Sequence, residues 1–116
     1  MPVVNTPQFT IAMQETAPGV LRVCLGGEFD MGVGDALADT LRDAARRPGV
    51  SQVLVDLYNT TLIDSHAVAG LVNGYEAAMS AGVRFTVVNG RNMVQQVLEI
   101  TGLAEVLCDT GERAGR

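Results

Sequence analysis

Ser65 is the residue whose neighbours give it chemistry to do. It stands in Asp64-Ser65-His66, a hydroxyl between a carboxylate and an imidazole, and those types together suggest a nucleophile, a base and an orienting acid. The spacing argues against it. Successive residues of a helix point about 100° apart, so His66 could not readily take a proton from Ser65. The flanking glycines of a nucleophile elbow are absent, since Ile63 and Ala67 hold those places. No G-x-x-x-x-G-K-[ST] loop occurs, and Gly26-Gly27 with Gly32 and Gly34 do not form a dinucleotide fingerprint. One His and no closely spaced Cys pair supply no zinc set. The expectation is a protein without enzyme activity, metal or cofactor. Two roles remain open for Ser65. Ser and Asp are both favoured as helix caps. A serine hydroxyl can also accept a phosphoryl group, which adds about −1.5 to −2 charges where it is placed.

The elements that must position Asp64 and Ser65 follow from periodicity. Phe9, Ile11 and Met13 alternate with polar or small residues, as in a half-buried strand. Ala17-Pro18-Gly19 signals a turn, and Val20 to Leu25 reads as a second strand, making a hairpin that Gly26-Gly27 ends. Gly34 to Arg47 predicts a helix with Asp35 as its cap, Leu37, Leu41 and Ala44 or Ala45 on its apolar face, and Asp39/Arg42 and Asp43/Arg46 spaced to pair. Val53, Leu54, Val55 and Leu57 suit a central strand covered on both faces. A short connection through Asn59, Thr60 and Thr61 follows, Leu62-Ile63 return to the core, and a second helix opens at Asp64 or Ser65. Val68, Leu71, Val72, Tyr75 and Met79 mark its apolar positions, and Gly82 stops it. Then come a strand over 84–88, a third helix capped by Asn92 and stopped by Gly102, and a short edge strand over 105–108.

The order β-β-α-β-α-β-α-(β) implies an α/β domain: a hairpin, then a mostly parallel central sheet of four to five strands with helices packed on it. Residues 1–7 read as a loose lead-in, 8–108 as the domain and 109–116 as a polar tail. Ala67, Ala69, Gly70, Asn73, Gly74, Ala77 and Ala78 make the second helix unusually small-sided, at a cost of about 1 kcal/mol for each interior glycine. Either the helix packs closely on a neighbour, or it offers a smooth surface to a partner.

Composition narrows the partner. The 116 residues carry a net charge of −5, with Arg as the only cation besides a single His, and no Trp. Neither a basic stripe for a phosphate backbone nor an aromatic platform for bases is present, so direct nucleic-acid binding is not expected. No apolar run approaches a membrane span and no leader pattern opens the chain, which predicts a cytoplasmic protein with protein partners. Cys24 and Cys108 lie in Val/Leu-rich runs and are expected to be buried, reduced and inert.

VLVDLYNTTLIDS followed by a small-residue helix resembles the STAS domain, in particular the bacterial anti-sigma-factor antagonists. The resemblance runs from about Phe9 to Leu107. Gly27-Glu28-Phe29-Asp30, Asp56-Leu57, Asp64-Ser65 and Ile100-Thr101-Gly102-Leu103 stand in the family's order. It implies a STAS-like fold and an antagonist that binds an anti-sigma factor which is also a serine kinase; a monomer or weak dimer is expected. That kinase phosphorylates Ser65 and ends binding, and a serine phosphatase resets the switch. The resemblance makes Ser65 the phosphorylation site and puts Asp30, Asp64, Ser65, His66, Ala67 and Gly70 at the partner surface. The family motif continues with Ser or Thr and then Gly, where this chain has His66 and Ala67. That departure points to an alternative, a diverged STAS interaction subunit of a signalling assembly or lipid-transport complex without a phosphorylation switch.

Overall fold

A computed structural model describes residues 9–30 and 32–108. The lead-in over 1–7 and the tail over 109–116 lie outside the described residues. Four strands form one sheet in the order β1(Phe9–Ala17), β2(Val20–Phe29), β3(Gln52–Ile63), β4(Arg84–Val88). β1 and β2 are the antiparallel hairpin, and β2–β3 and β3–β4 run parallel. Helices α1(Gly34–Ala45) and α2(Ser65–Ala81) are the crossovers, and α3(Asn92–Ile100) and a four-residue turn, α4(Ala104–Leu107), follow β4. The α/β architecture expected from the sequence is present. Among the described residues no helix is long and apolar enough to cross a membrane.

The core lies between one face of the sheet and α1 and α2. Val23, Val53, Val55 and Leu57 from the strands and Leu37, Leu41, Leu71 and Ala78 from the helices are fully buried. The alternate residues Arg22, Cys24, Leu54, Asp56 and Thr86 are only half-buried. The expectation that β3 is covered on both faces therefore fails: its apolar run is unbroken, yet its burial alternates. Cys24 and Cys108 are half-buried thiols rather than core residues, so the expected burial of both fails too.

Several boundaries differ from expectation for identifiable reasons. The segment Ala104–Leu107 is a helical turn, and Cys108 after it forms a single parallel bridge to Val87. Asp35 does not cap α1; Val33 is the cap residue and provides no side-chain bond. Asn92 is the first residue of α3, with φ of 54° and no capping bond. The Asp39–Arg42 pair does form, at 2.7 Å.

The largest difference decides where Ser65 sits. β2 continues through Gly26-Gly27 to Phe29, and β3 continues through Asn59-Thr60-Thr61 to Ile63. Two register shifts let these strands stay paired, one between Cys24 and Gly26 and one between Gly27 and Glu28. Bulges leave backbone groups without ladder partners. Here threonine hydroxyls serve two of the β2 carbonyls: Thr60 Oγ1 donates to Leu25 O at 2.8 Å, buried, and Thr61 Oγ1 to Gly27 O at 3.3 Å. At the first bulge the Asp56 carboxylate accepts from Tyr58 N–H at 2.9 Å and from the Asn89 amide at 3.1 Å, while Arg22 donates to its other oxygen at 3.1 and 2.7 Å.

Asp56 is thus the clamp that bends β3, and its side chain is 13% exposed. Burial pushes its carboxyl upward, but the Tyr58 N–H, the Asn89 amide and the Arg22 guanidinium outweigh that and hold it below the ordinary aspartate range. The folded state therefore binds fewer protons than the unfolded chain in that acidic range, and the stability is present above about pH 4 and lost below it. Asp56→Ala is expected to cost about 2–3 kcal/mol near neutrality, because it strands an arginine and a bulged N–H. Urea unfolding at pH 7 and pH 3 checks this, since the gap between parent and variant should narrow in acid.

Candidate functional site

The register Phe29↔Ile63 brings the ends of β2 and β3 side by side. Adjacent strands lie about 4.8 Å apart, so Asp30 and Asp64, the next residue on each, leave the sheet as neighbours. Asp64 N–H donates to Phe29 O at 3.0 Å, which fixes the exit. Asp64 is extended, with φ −102° and ψ −178°, and is the cap of α2. Its Oδ1 accepts from Ala67 N–H at 2.8 Å and its carbonyl from Val68 N–H at 2.9 Å.

Ser65 is therefore the first residue of the helix and not its cap. It is exposed, and among the described residues no hydrogen bond involves its hydroxyl. The capping role that the sequence left open for Ser65 belongs to Asp64. Asp64→Ala is expected to cost about 1 kcal/mol, and Ser65→Ala no more than about 0.5 kcal/mol. Denaturant unfolding of the two variants checks this ranking.

His66 is engaged by α1 rather than by Ser65. Its Nε2 meets Asp35 Oδ1, in the first turn of α1, at 3.1 Å, with the two side chains 46% and 89% exposed. The ring makes no hydrogen bond to the Ser65 hydroxyl, so the two form no triad with Asp35. Beneath this pair the two helices cross with almost no space between them. A Cβ on Gly34 would run into the carbonyl of His66, and one on Gly70 would lie 2.7 Å from Gly34 O. One on Gly74 would lie 2.6 Å from the Cβ of Leu41. The small residues of α2 thus serve close packing on α1.

That packing corrects two of the expected surface residues. Ala67 is fully buried and Gly70 is buried under α1, so neither offers surface to a partner. Asp30 and Asp64 are half-buried, and Ser65 and His66 are exposed. The methyl of Ala67, where the family pattern has glycine, points into the core and obstructs nothing outside. Asp35 was missed as a site residue. It lies 31 positions from His66, and only the crossing of α1 over α2 joins them.

This end of the molecule therefore carries Asp30 and Asp64 at the ends of β2 and β3, Asp35 at the start of α1, and an exposed, unbonded serine hydroxyl at the start of α2. Among the described residues no cluster of His, Cys, Asp or Glu could hold a metal ion. A family model described as "Mlab, STAS domain" matches residues 12–109. The chain belongs to the STAS domain family. Solved structures similar to this STAS domain include the anti-sigma factor antagonist SpoIIAA in its unphosphorylated form, with 17% identity, a TM-score of 0.73, and 90% of this chain and 92% of that one covered. An anti-sigma factor antagonist from Mycobacterium paratuberculosis is 22% identical, with a TM-score of 0.75 over 90% of this chain and 87% of that one. A sulfate transporter family protein from Wolinella succinogenes is 18% identical, with a TM-score of 0.70 over 84% and 78%. At these identities the likeness shows a shared STAS fold. No curated protein sequence matches this STAS domain significantly.

Proposed function

We propose that this STAS domain is a cytoplasmic anti-sigma-factor antagonist that docks on an anti-sigma factor with serine kinase activity. Phosphorylation of Ser65 by that kinase ends docking, and a serine phosphatase restores it. The observation that carries this reading is the division of labour at the start of α2: Asp64 caps the helix, so the Ser65 hydroxyl is left exposed and unbonded. The docking surface comprises Asp30, Asp64, Ser65 and His66. Its role is binding rather than catalysis, because the only imidazole nearby is held by Asp35. Similarity to antagonists, SpoIIAA in its phosphorylated form among them, supports it.

A second reading is an interaction subunit of a transporter complex without a phosphorylation switch. The fold shared with the sulfate transporter family protein favours it. Incubation with the cognate kinase and ATP, followed by intact-mass analysis, separates the two. The first reading expects a single phosphate that Ser65→Ala abolishes; an unchanged mass would leave the second.

A further inference from the structure

We propose that two copies of this chain pair through β1, antiparallel and centred on Ala12, joining their sheets into one of eight strands. β1 is an edge strand, and among the described residues no strand lies along its outer side. Edge strands are usually protected by brevity, lysine, proline or a bulge. β1 has nine residues and contains neither Lys nor Pro; its one register shift lies at the far end, between Glu15 and Ala17, and the register is regular from Phe9 to Glu15. Its only charge is Glu15. Phe9, Ile11 and Met13 are half-buried, and Thr10, Ala12 and Gln14 on the other face are exposed.

The occupant follows from self-complementarity. In a two-fold pair, residue i meets j and j meets i. An axis normal to the sheet keeps both copies' helices on one side and sets one residue opposite itself. At Ala12 that residue carries only a methyl group. Ile11 then faces Met13 of the second copy on the helix side, and Thr10 faces Gln14 of the second copy on the other. These two pairs match in character, apolar with apolar and polar with polar, as cross-strand pairing favours. Glu15 faces Phe9 of the second copy, and the two carboxylates end up six residues apart along the strand. At about 3.4 Å per residue that is about 20 Å, beyond the screening length at physiological salt. Centring on Met13 or Gln14 would bring them closer. β1 is separated by β2 from β3, which leads into Ser65, so pairing leaves both Ser65 surfaces open. The proposal does not rest on the Ser65 switch.

Sedimentation velocity on the full chain between about 10 µM and about 1 mM tests it. The expected result is a concentration-dependent shift from monomer to dimer mass. Ala12 is exposed, so Ala12→Lys and Ala12→Glu should fold as the parent does, and circular dichroism melts check that. Each alone sets like charges together at the axis and should weaken pairing by up to about fivefold. An equimolar mixture of the two sets Lys against Glu and should pair again. A chain that stays monomeric at every concentration, variants that pair as the parent does, or a mixture that fails to pair would each overturn the proposal.

Discussion

Gly34→Ala should destabilise the protein by about 3 kcal/mol, although alanine is the better helix former. Gly34 opens α1 without a positive φ, and on propensity alone the change would gain up to about 1 kcal/mol. Space decides the sign. The added Cβ would lie 2.6 Å from the carbonyl carbon and 2.8 Å from the Cγ of His66. The obstacle is backbone, so no rotamer change relieves it, and α1 must move off α2. That movement breaks the Asp35–His66 contact and displaces the helix start that presents Ser65. Gly70→Ala meets the other side of the same crossing, 2.7 Å from Gly34 O. The double variant should therefore cost less than the sum of the singles, because one separation of the helices serves both. Urea unfolding of the two singles and the double measures this. A stabilising Gly34→Ala would mean that the helices do not cross this closely.

Phosphorylation of Ser65 should weaken partner binding more than a hundredfold, a penalty of about 3 kcal/mol. The phosphate brings about −1.5 to −2 charges to the first residue of α2. The helix dipole alone would favour an anion there by about 0.3–1 kcal/mol. Two features reverse the balance for a docked partner. The Ala67 N–H is already taken by Asp64, and Asp30 and Asp64 put like charge beside the new group. In a closed interface that charge must also shed water. No change of fold is needed. Ser65→Glu should weaken binding in the same direction but less, since one charge imitates two only in part. Ser65→Ala should bind as the parent does, because its hydroxyl supports nothing in the fold.

Much of this was legible in the sequence, and the failures share a cause. The alternating β1, the helical spacing of α2 from Val68 to Tyr75, its stop at Gly82 and the β-α-β order are local patterns that appear in the structure as expected, whereas Met79, expected on the same apolar face, is 62% exposed. Asp64-Ser65 opening α2 was equally legible. Which of the two caps the helix was not, because both types can do so and only the extended dihedrals of Asp64 decide. Asn59-Thr60-Thr61 looked like a loop because polar residues interrupt the apolar run. In the structure the hydroxyls of Thr60 and Thr61 replace ladder bonds lost at two bulges, a role that exists only once β2 lies alongside. Gly34, Gly70 and Asp35 were hidden for the same reason. Their meaning is contact between α1 and α2, and nothing within either helix records which residue lies opposite.

The central claim is that charge at Ser65 controls docking, and titration calorimetry against one anti-sigma partner tests it most directly. The same partner preparation is titrated with the parent, Ser65→Ala, Ser65→Glu and enzymatically phosphorylated protein, at low and at high salt. The expected order of affinity is parent equal to Ser65→Ala, then Ser65→Glu, then the phosphorylated form, with the gaps shrinking in salt as far as the repelling charges stay solvated. Equal affinity for all four, or a loss confined to Ser65→Ala, would contradict it.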